Sequence, residues 1–293
     1  MTPASTFGCW RPPSGHDKSA VVTAAIPIDD PDDPRLVDYR QVRERDLVGR
    51  QGRFIAEGVV VLQKLVRAGR HPLRSVLVAE KRVSALEPLL AELPIGVEVY
   101  SASQAVMDAV VGFPIHRGVL AAGTRAELDV EALLEGLSQT AIVVALAGIA
   151  NHDNMGGLFR NAAAFGADAV LIDNDCCDPL YRKAIRVSVG AALTMPFARA
   201  GSADEMVARL AKKGFSVLAL SPQGTEDIAA VRPAGRTAIV FGAEGPGLPA
   251  ELMHRTTTVR IQMAGDFDSL NVATASGIVL HHMVEIVRKS RLG

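Results

Sequence analysis

The stretch that decides the fold reads LAGIANHDNMGGLFRNAAAFGADAVLI and runs from Leu146 to Ile172. It continues the apolar run 141–149, which has the length of a strand buried on both faces of a parallel sheet. A polar turn at 151–154 separates this strand from a helical pattern, which Gly166 ends as a residue free to adopt positive φ. The stretch therefore predicts a strand–loop–helix–strand unit. Its loop lies at the carboxyl end of a strand, where open α/β sheets bind their ligands.

Arg160 is the unusual residue of this unit, because it places a permanent cation in a helix that is otherwise small and apolar. Arginine is mostly exposed in proteins, so a plain surface residue explains it as well as a functional one does. Only the residues around Arg160 in the folded protein distinguish a surface role from a functional one.

Length and composition limit the possible classes of protein. The chain has 293 residues, which suffices for about two domains, and it is 48% hydrophobic and 22% charged, as is usual for a globular protein. With a formal net charge of −1, any nucleic-acid site has to be a local basic patch. No apolar run reaches the roughly 18 residues of a membrane span, so we expect no membrane association.

The N-terminus has no secretory signal pattern, and the cysteines are few. Cys9, Cys176 and Cys177 are odd in number and form no C-x-x-C pair, so we expect neither a disulfide framework nor a bound metal. Both observations favour a reducing compartment, and we expect the protein in the cytoplasm.

The order of predicted elements divides the chain into four parts. Residues 1–33 read as a flexible leader, in which 21–28 could add an edge strand. Residues 34–123 alternate α and β and predict a small α/β domain. The polar, helix-prone segment 124–140 is the expected linker, and 141–293 is expected to form the second α/β domain, with a parallel sheet.

Arginines that alternate with acids mark the start of the small domain. This pattern fits a solvated helix face with ion pairs, and a phosphate-binding surface is the alternative. The arginines concerned are Arg35, Arg40, Arg43, Arg45, Arg50 and Arg53.

Three predicted strand-end loops collect the unusual residues of the second domain: 154–160, 242–247 and 263–271. Loops at the carboxyl edge of one sheet converge on one crevice, so we expect these three to form a common site. A glycine-walled loop exposes backbone N–H and C=O groups and suits a neutral ligand such as adenine. Glu244 would supply an acceptor, and Asn154 and Asn271 both donors and acceptors.

Other enzyme classes fit the sequence poorly. It contains no P-loop, no G-x-S-x-G and no H-E-x-x-H. Residues 245–250 match a loose dinucleotide fingerprint, but three residues separate it from the strand and no acid follows at Ile261. His152, His281 and His282 show no metal-ligand spacing.

Taken together, the motifs of residues 141–289 resemble the SpoU (TrmH-like) family of RNA ribose methyltransferases, within the SPOUT superfamily. The first motif, N-x-G-x-x-x-R-x-A followed by F-G, is matched by Asn154, Gly156, Arg160, Ala162, Phe165 and Gly166. The second, G-N-E-G-x-G-L, is matched by Gly242, Glu244, Gly245, Gly247 and Leu248. The third, I-P-M and then S-L-N-V, is matched by Ile261, Met263, Ser269, Leu270, Asn271 and Val272. An intervening S-x-G-A is present as Ser188, Gly190 and Ala191.

Two positions depart from the family pattern, and a second, weaker resemblance covers the N-terminal half. Ala243 stands where the family usually has Asn, and Gln262 where it usually has Pro. These changes could weaken a contact in the site and loosen the cofactor loop. Residues 47–122 resemble the small RNA-binding domain that often precedes such catalytic domains, through the run 53–59 and the H-R-G-V of 116–119.

The resemblance implies transfer of a methyl group from S-adenosylmethionine to a ribose 2′-hydroxyl of RNA. It implies catalytic roles for Arg160, Asn154, Glu244, Ser269 and Asn271. It implies cofactor binding by Phe241, Gly242, Ala243, Gly245, Gly247, Ile261, Met263 and Leu270. Because a guanidinium stays protonated, Arg160 fits phosphate binding or stabilisation of alkoxide charge better than the role of a base.

The resemblance also implies an assembly and a fold detail. The family forms homodimers whose active sites share the interface, and its C-terminal segment folds into a trefoil knot. In a dimer, the N-terminal arginines together with Lys64, Arg67, Arg70 and Arg74 would form a phosphate-contacting surface for structured RNA.

Several functions stay open on the sequence alone. Ribosomal RNA is favoured over transfer RNA as the substrate by the extra N-terminal domain. A catalytically weak RNA-binding protein of the same fold is the alternative motivated by Ala243 and Gln262, and a base methyltransferase is a third.

Overall fold

Buried apolar strands form two separate sheets in the computed structural model, which describes residues 24–40, 44–232, 235–245, 247–265 and 268–290. The smaller sheet has the order β1-β4-β3-β5-β2, and β5 runs antiparallel to both of its neighbours. Its strands are β1 (Ile26–Pro27), β2 (Arg53–Glu57), β3 (Leu73–Ala79), β4 (Glu98–Ala102) and β5 (Val119–Thr124). Its helices are α1 (Glu44–Gln51), α2 (Val59–Ala68), α3 (Val83–Leu90) and α4 (Gln104–Val111), with short 3-10 helices at Pro34–Tyr39 and Glu80–Arg82.

The larger sheet has the order β10-β12-β9-β11-β6-β7-β8, and all of its described pairings are parallel. Its strands are β6 (Ile142–Leu146), β7 (Ala169–Ile172), β8 (Phe197–Arg199), β9 (Ser216–Leu220), β10 (Glu226–Asp227), β11 (Thr237–Phe241) and β12 (Thr257–Arg260). Its helices are α5 (Val130–Glu135), α6 (His152–Phe165), α7 (Arg182–Val187), α8 (Ala191–Thr194), α9 (Ala203–Lys212), α10 (Ala250–His254) and α11 (Val272–Ser290), and a 3-10 helix spans Ile228–Ala230. The predicted α/β class with a parallel sheet is confirmed.

Capping residues in the sequence mark the ends of several helices. Gly69 and Gly166 end α2 and α6 in the left-handed conformation, with φ of 59° and 81°. The Ser103 side chain accepts a hydrogen bond from the Val106 N–H at the start of α4, as expected of an N-cap. The predicted edge strand exists as β1, although residues 21–23 lie outside the described residues.

The polar turn predicted after β6 is wrong in its extent, because α6 begins at His152. The Asn151 side chain accepts hydrogen bonds from the N–H groups of Asp153 and Asn154 and acts as the N-cap. The predicted loop 154–160 is likewise wrong, because all of it, including Gly156 and Gly157, lies inside α6. Close packing against neighbouring helices explains why both positions are glycine. A Cβ on Gly156 would lie 2.7 Å from Val187 Cβ, and a Cβ on Gly157 would lie 2.6 Å from Ala273 Cβ.

Two polar contacts join the parts of the chain that carry the two sheets. Lys64 Nζ on α2 donates to the Val189 carbonyl between α7 and α8 over 2.7 Å. Arg125, just after β5, pairs with Asp178 of the larger α/β unit, and both side chains are mostly buried. Val189 adopts a φ of 52°, which is strained for a β-branched residue. The contact thus fixes an unusual backbone conformation at the junction.

The segment 124–140, expected as a linker, is not structureless. It contains α5, whose Leu134 is fully buried in the core on one face of the larger sheet. Among the described helices, none is both long and apolar enough to cross a membrane.

The arginines at the start of the small domain form ion pairs, which supports the solvated-face interpretation over a free phosphate-binding surface. Arg35 pairs with Asp33 at 2.6 Å, and Arg53 and Arg74 both contact Asp38, at 2.5 and 3.1 Å. Arg67 lies 3.7 Å from Glu92, and Lys64 is used at the junction described above. Arg43 and the side chains of Arg45 and Arg50 lie outside the described residues.

The Gly156 contact predicts a stability change. Gly156→Ala should lower the free energy of unfolding by about 1–3 kcal/mol, because its methyl group overlaps Val187 and the Ala184 carbonyl. Gly49→Ala is the matched control within a helix, since nothing lies within 4 Å of its added Cβ. Urea denaturation of both variants measures the difference, and equal effects of the two substitutions would contradict the packing argument.

A buried histidine predicts a pH dependence. Burial, reinforced by the nearby Arg70 and Arg125, lowers the pKa of His71 from 6.5 to about 4. The unfolded chain therefore binds a proton below pH 6.5 that the folded chain does not bind. Stability should fall as the pH drops from 6.5 to about 4, by on the order of 1–3 kcal/mol, and this loss is absent above that range.

His71→Asn keeps an acceptor for the Ala126 N–H that now bonds to Nδ1 and should flatten this dependence. His116→Asn, at an exposed position, serves as the control. Thermal unfolding measured at several pH values distinguishes them; an unchanged slope in His71→Asn would assign the acid sensitivity to other groups.

Candidate functional site

The carboxyl ends of three neighbouring strands enclose a cavity of about 370 Å³, within the size range of small-molecule sites. The strands are β9, β11 and β12, and the start of α11 closes the cavity. The lining residues are Leu220, Ser221, Pro222, Phe241, Gly242, Ala243, Glu244, Gly245, Gly247, Ile261, Met263, Ser269, Leu270, Asn271, Val272 and Ala275.

The loop after β11 owes its shape to glycine. Gly245 and Gly247 have φ values of 88° and 69°, a conformation that other residues rarely adopt. The Gly247 N–H donates to the Ala243 carbonyl over 3.2 Å and closes the turn. A Cβ on Gly242 would lie 2.8 Å from the Gly247 carbonyl carbon, so the turn packs back on its own strand. The loop therefore presents main-chain groups to the cavity.

Asn271 joins the three predicted motifs. Its Nδ2 donates to Asn154 Oδ1 over 2.9 Å and to Glu244 Oε1 over 3.0 Å. Its Oδ1 accepts from the N–H groups of Ala273 and Thr274 and caps α11. The terminal helix thus begins at Val272 rather than near Ser269, and one side chain holds the loop after β11 against the first turn of α6.

Close packing of α6 on α11 fixes the position of Asn154. Asn161 Nδ2 donates to the Ala273 carbonyl over 2.6 Å and to Ser276 Oγ over 2.9 Å. Small residues at Gly157 and Ala273 allow the two backbones to approach. Asn154 itself is 7% exposed, so its amide is held by the protein rather than by solvent.

Most of the predicted site residues meet at the cavity. All eight predicted cofactor-binding residues line it, as do Glu244, Ser269 and Asn271 among the predicted catalytic residues. Asn154 reaches the site through its bond to Asn271.

Arg160 does not line this cavity. It follows Asn154 by six positions, which rotates its side chain by about 240° around the helix axis. It is exposed and has no hydrogen bond or ion pair with another described residue. Its guanidinium is free to contact a ligand or a second chain.

The segment 220–222 at the end of β9 also lines the cavity and was not predicted as part of the site. This strand was predicted, but it carries no glycine or amide motif, and only its position beside β11 in the sheet brings it to the cavity. Val272 and Ala275, in the first turn of α11, also line the cavity and were not among the predicted site residues.

The described residues contain no group of three His, Cys, Asp or Glu side chains arranged to hold a metal ion. Cys176 and Cys177 are free thiols. Burial raises the pKa of both, that of Cys177 to about 12, so neither is a reactive thiolate at neutral pH.

The fold and the cavity define the class of the protein, and comparison with known proteins defines its family. The fold and cavity are those of an α/β enzyme with a ligand site at the strand ends. Residues 141–281 match the model of the SpoU rRNA Methylase family. An uncharacterized tRNA/rRNA methyltransferase of Mycobacterium tuberculosis (strain ATCC 25618 / H37Rv) is 40% identical over 284 residues, 93% of this chain and 94% of that protein.

A 23S rRNA (guanosine-2′-O-)-methyltransferase of Photobacterium profundum, RlmB, is 34% identical over 212 residues, covering 70% of this chain and 86% of the relative. The chain belongs to the SpoU family of RNA methyltransferases. The resemblance of the three motifs to that family is thereby confirmed.

Solved structures agree on the architecture. An RNA 2′-O ribose methyltransferase aligns with a TM-score of 0.73 and 25% identity, covering 92% of this chain and 100% of that one. An AdoMet-bound rRNA methyltransferase from Sinorhizobium meliloti aligns with a TM-score of 0.76 at 21% identity, covering 92% and 99%. At 21% identity, the similarity to the Sinorhizobium meliloti protein concerns the fold alone. Both alignments extend over the small N-terminal sheet as well as the larger one.

The Asn271 bridge predicts an effect on stability. Asn271→Asp keeps the acceptor that caps α11 but loses both donated bonds and places a carboxylate beside Glu244. Leaving the buried Asn154 oxygen unpaired should cost about 1–3 kcal/mol.

Asn151→Asp is the matched control, because the Asn151 side chain caps α6 only through its oxygen. Chemical denaturation at neutral pH should therefore separate the two variants. Equal stability of Asn271→Asp and the wild type would show that the bridge contributes nothing.

Proposed function

We propose that the protein transfers a methyl group from S-adenosylmethionine to a ribose 2′-hydroxyl of ribosomal RNA. The observation that carries the proposal is the meeting of Asn154, Glu244 and Asn271 beside the glycine-walled cavity. The guanosine-2′-O specificity in the name of the Photobacterium relative supports the ribose as acceptor.

The chemical groups that line the cavity fit S-adenosylmethionine. The loop around Gly245 and Gly247 offers main-chain groups, and nothing lies within 4 Å of the place where a Cβ would stand on either residue. Ile261, Met263 and Leu270 add apolar surface for a nucleoside. The exposed Glu244 carboxylate supplies negative charge for a cationic ligand.

S-adenosylmethionine supplies a methyl group on a positively charged sulfonium. In the proposed reaction the S–CH₃ bond breaks as the O2′–CH₃ bond forms, the sulfur becomes a neutral thioether, and the hydroxyl proton leaves to solvent. The enzyme has to hold the two reacting atoms in line. A guanidinium is a poor base, so we assign Arg160 to the phosphate or to the developing charge on O2′ rather than to proton abstraction.

The oligomeric state, the roles of the two domains and the cellular location are also proposals. We propose a homodimer, supported by the exposed Arg160 and by Ile278, which is 43% exposed on α11. We retain 34–123 as an RNA-binding domain, 141–293 as the catalytic domain, and a cytoplasmic location. The trefoil knot stays a prediction. Transfer RNA is the alternative substrate, in keeping with the naming of the mycobacterial relative.

A catalytically weak RNA-binding protein is the second candidate function, motivated by Ala243 and Gln262. One observation weighs against it: Ala243 holds the loop through its backbone, which pairs with Gly247. Replacement of the family's usual Asn therefore leaves the turn intact. Calorimetry with S-adenosylmethionine separates the two functions, because an inactive binder would bind no cofactor at millimolar concentration.

Arg160→Ala should reduce methyl transfer about 100- to 1000-fold, the usual effect of removing one group that stabilises transition-state charge. Affinity for S-adenosylmethionine should stay unchanged, because Arg160 does not line the cavity. The measurement is incorporation of labelled methyl groups into ribosomal RNA from cells that lack the enzyme.

Arg255→Ala is the control, since Arg255 is an exposed arginine whose partner Asp204 lies on α9. A wild-type rate in Arg160→Ala would remove this residue from the mechanism. Mass spectrometry of the digested product then distinguishes the acceptors: the label is expected on ribose, and a label on the base would support a base methyltransferase.

A further inference from the structure

An exposed aromatic ring lies where the two halves of the chain meet. Phe113 follows α4 in a loop flanked by Gly112, with φ of 84°, and by Pro114. Phe113 is 37% exposed. The guanidinium carbon of Arg182, at the start of α7 in the larger unit, lies 4.4 Å from its centroid. Each half of the chain thus contributes one member of a stacked pair.

Two further arginines follow the members of this pair along the chain, Arg117 after Phe113 and Arg186 after Arg182. Arg186 follows Arg182 by one helical turn and lies on the same side of α7. It is exposed and has no hydrogen bond or ion pair with another described residue. Arg117 is half exposed and only 3.9 Å from Glu57, a distant contact for an ion pair. We call Phe113, Arg117, Arg182 and Arg186 the junction patch.

The junction patch adjoins the proposed reaction site. Lys183, next to Arg182, pairs with Asp153 over 2.6 Å, and Asp153 precedes Asn154 on α6. Tyr181 on the other side packs against His152 with 4.2 Å between ring centroids. A chain bound at the patch therefore needs to cross only the first turn of α6 to reach Asn154.

We propose that the junction patch binds an unpaired nucleobase of the RNA substrate, close to the nucleotide that is methylated. The base stacks on Phe113 beside the Arg182 guanidinium, and Arg186 and Arg117 contact the adjoining phosphates. Aromatic rings with interspersed arginines bind single-stranded RNA in this way, because every base has a π-face and every linkage a negative charge. The proposal rests on the proposed function, which makes RNA the substrate.

RNA is the occupant that the charges favour. An acidic protein partner would use the same arginines but would gain little from a flat, exposed ring held against a guanidinium. A nucleobase uses both the ring and the planar cation.

The test compares binding of two fluorescein-labelled probes by anisotropy: a single-stranded 12-mer of uridylate, and the same ribose–phosphate chain without bases. The wild type should bind the base-containing probe roughly tenfold more tightly, the usual contribution of one stacked base. Phe113→Ala should lose this preference while its affinity for the abasic chain stays unchanged. Phe113→Trp should retain the preference.

Ile95→Ala is the matched control, since Ile95 is another exposed apolar residue of the small domain. A second readout is methyl transfer to ribosomal RNA, in which Phe113→Ala should raise the KM for RNA and leave kcat unchanged. Arg182→Lys keeps the charge but not the planar group and should reduce the preference for bases.

Two results would overturn the proposal. A Phe113→Ala protein that keeps the wild-type preference for bases would show that the ring does not stack on RNA. An equal loss of affinity for both probes, with a lower melting temperature, would assign the ring to holding the two halves of the chain together. Methyl transfer by the wild type tests the proposed function separately, because the preference for bases is measured without cofactor.

Discussion

The structure of the site depends on one side-chain amide. Asn271 donates to the Asn154 amide oxygen and to the Glu244 carboxylate, while its own oxygen caps α11. The first of these bonds joins residues 117 positions apart in the sequence, and the second joins residues 27 positions apart. Each of the three partners comes from a different strand-end motif, so the motifs act as one unit.

Small residues make this arrangement possible. The bridge forms because α6 approaches both α7 and α11 closely, and glycine at 156 and 157 leaves the space. The same α7–α8 elbow receives Lys64 from the small domain at Val189. The position of the N-terminal half is therefore mechanically connected, through α7 and Gly156, to the helix that carries Asn154 and Arg160. This connection suits an enzyme that has to align a macromolecule with a small methyl donor.

Much of the fold and most of the site could be predicted from the sequence, for physical reasons. Strands such as β6 and β11 are continuous apolar runs with glycine after them, and their loops could be recognised without coordinates. The end of β9 could not, because its place beside β11 is set by long-range pairing. Glycine at 156 and 157 favoured a loop at 154–160, but close packing of α6 on its neighbours explains both glycines within a helix. The arginines near the start of the small domain were ambiguous in sequence, and their partners showed that Arg35 is paired with Asp33 and Arg53 with Asp38.

The proposed function requires that the cavity beside Asn271 holds the methyl donor. A crystal structure of the protein with S-adenosylhomocysteine tests this directly. We expect the ligand between the loop 241–247 and the segment 261–271, in contact with the main chain at Gly245 and Gly247. A ligand bound at another place on the chain, or no bound ligand at millimolar concentration, would contradict the account.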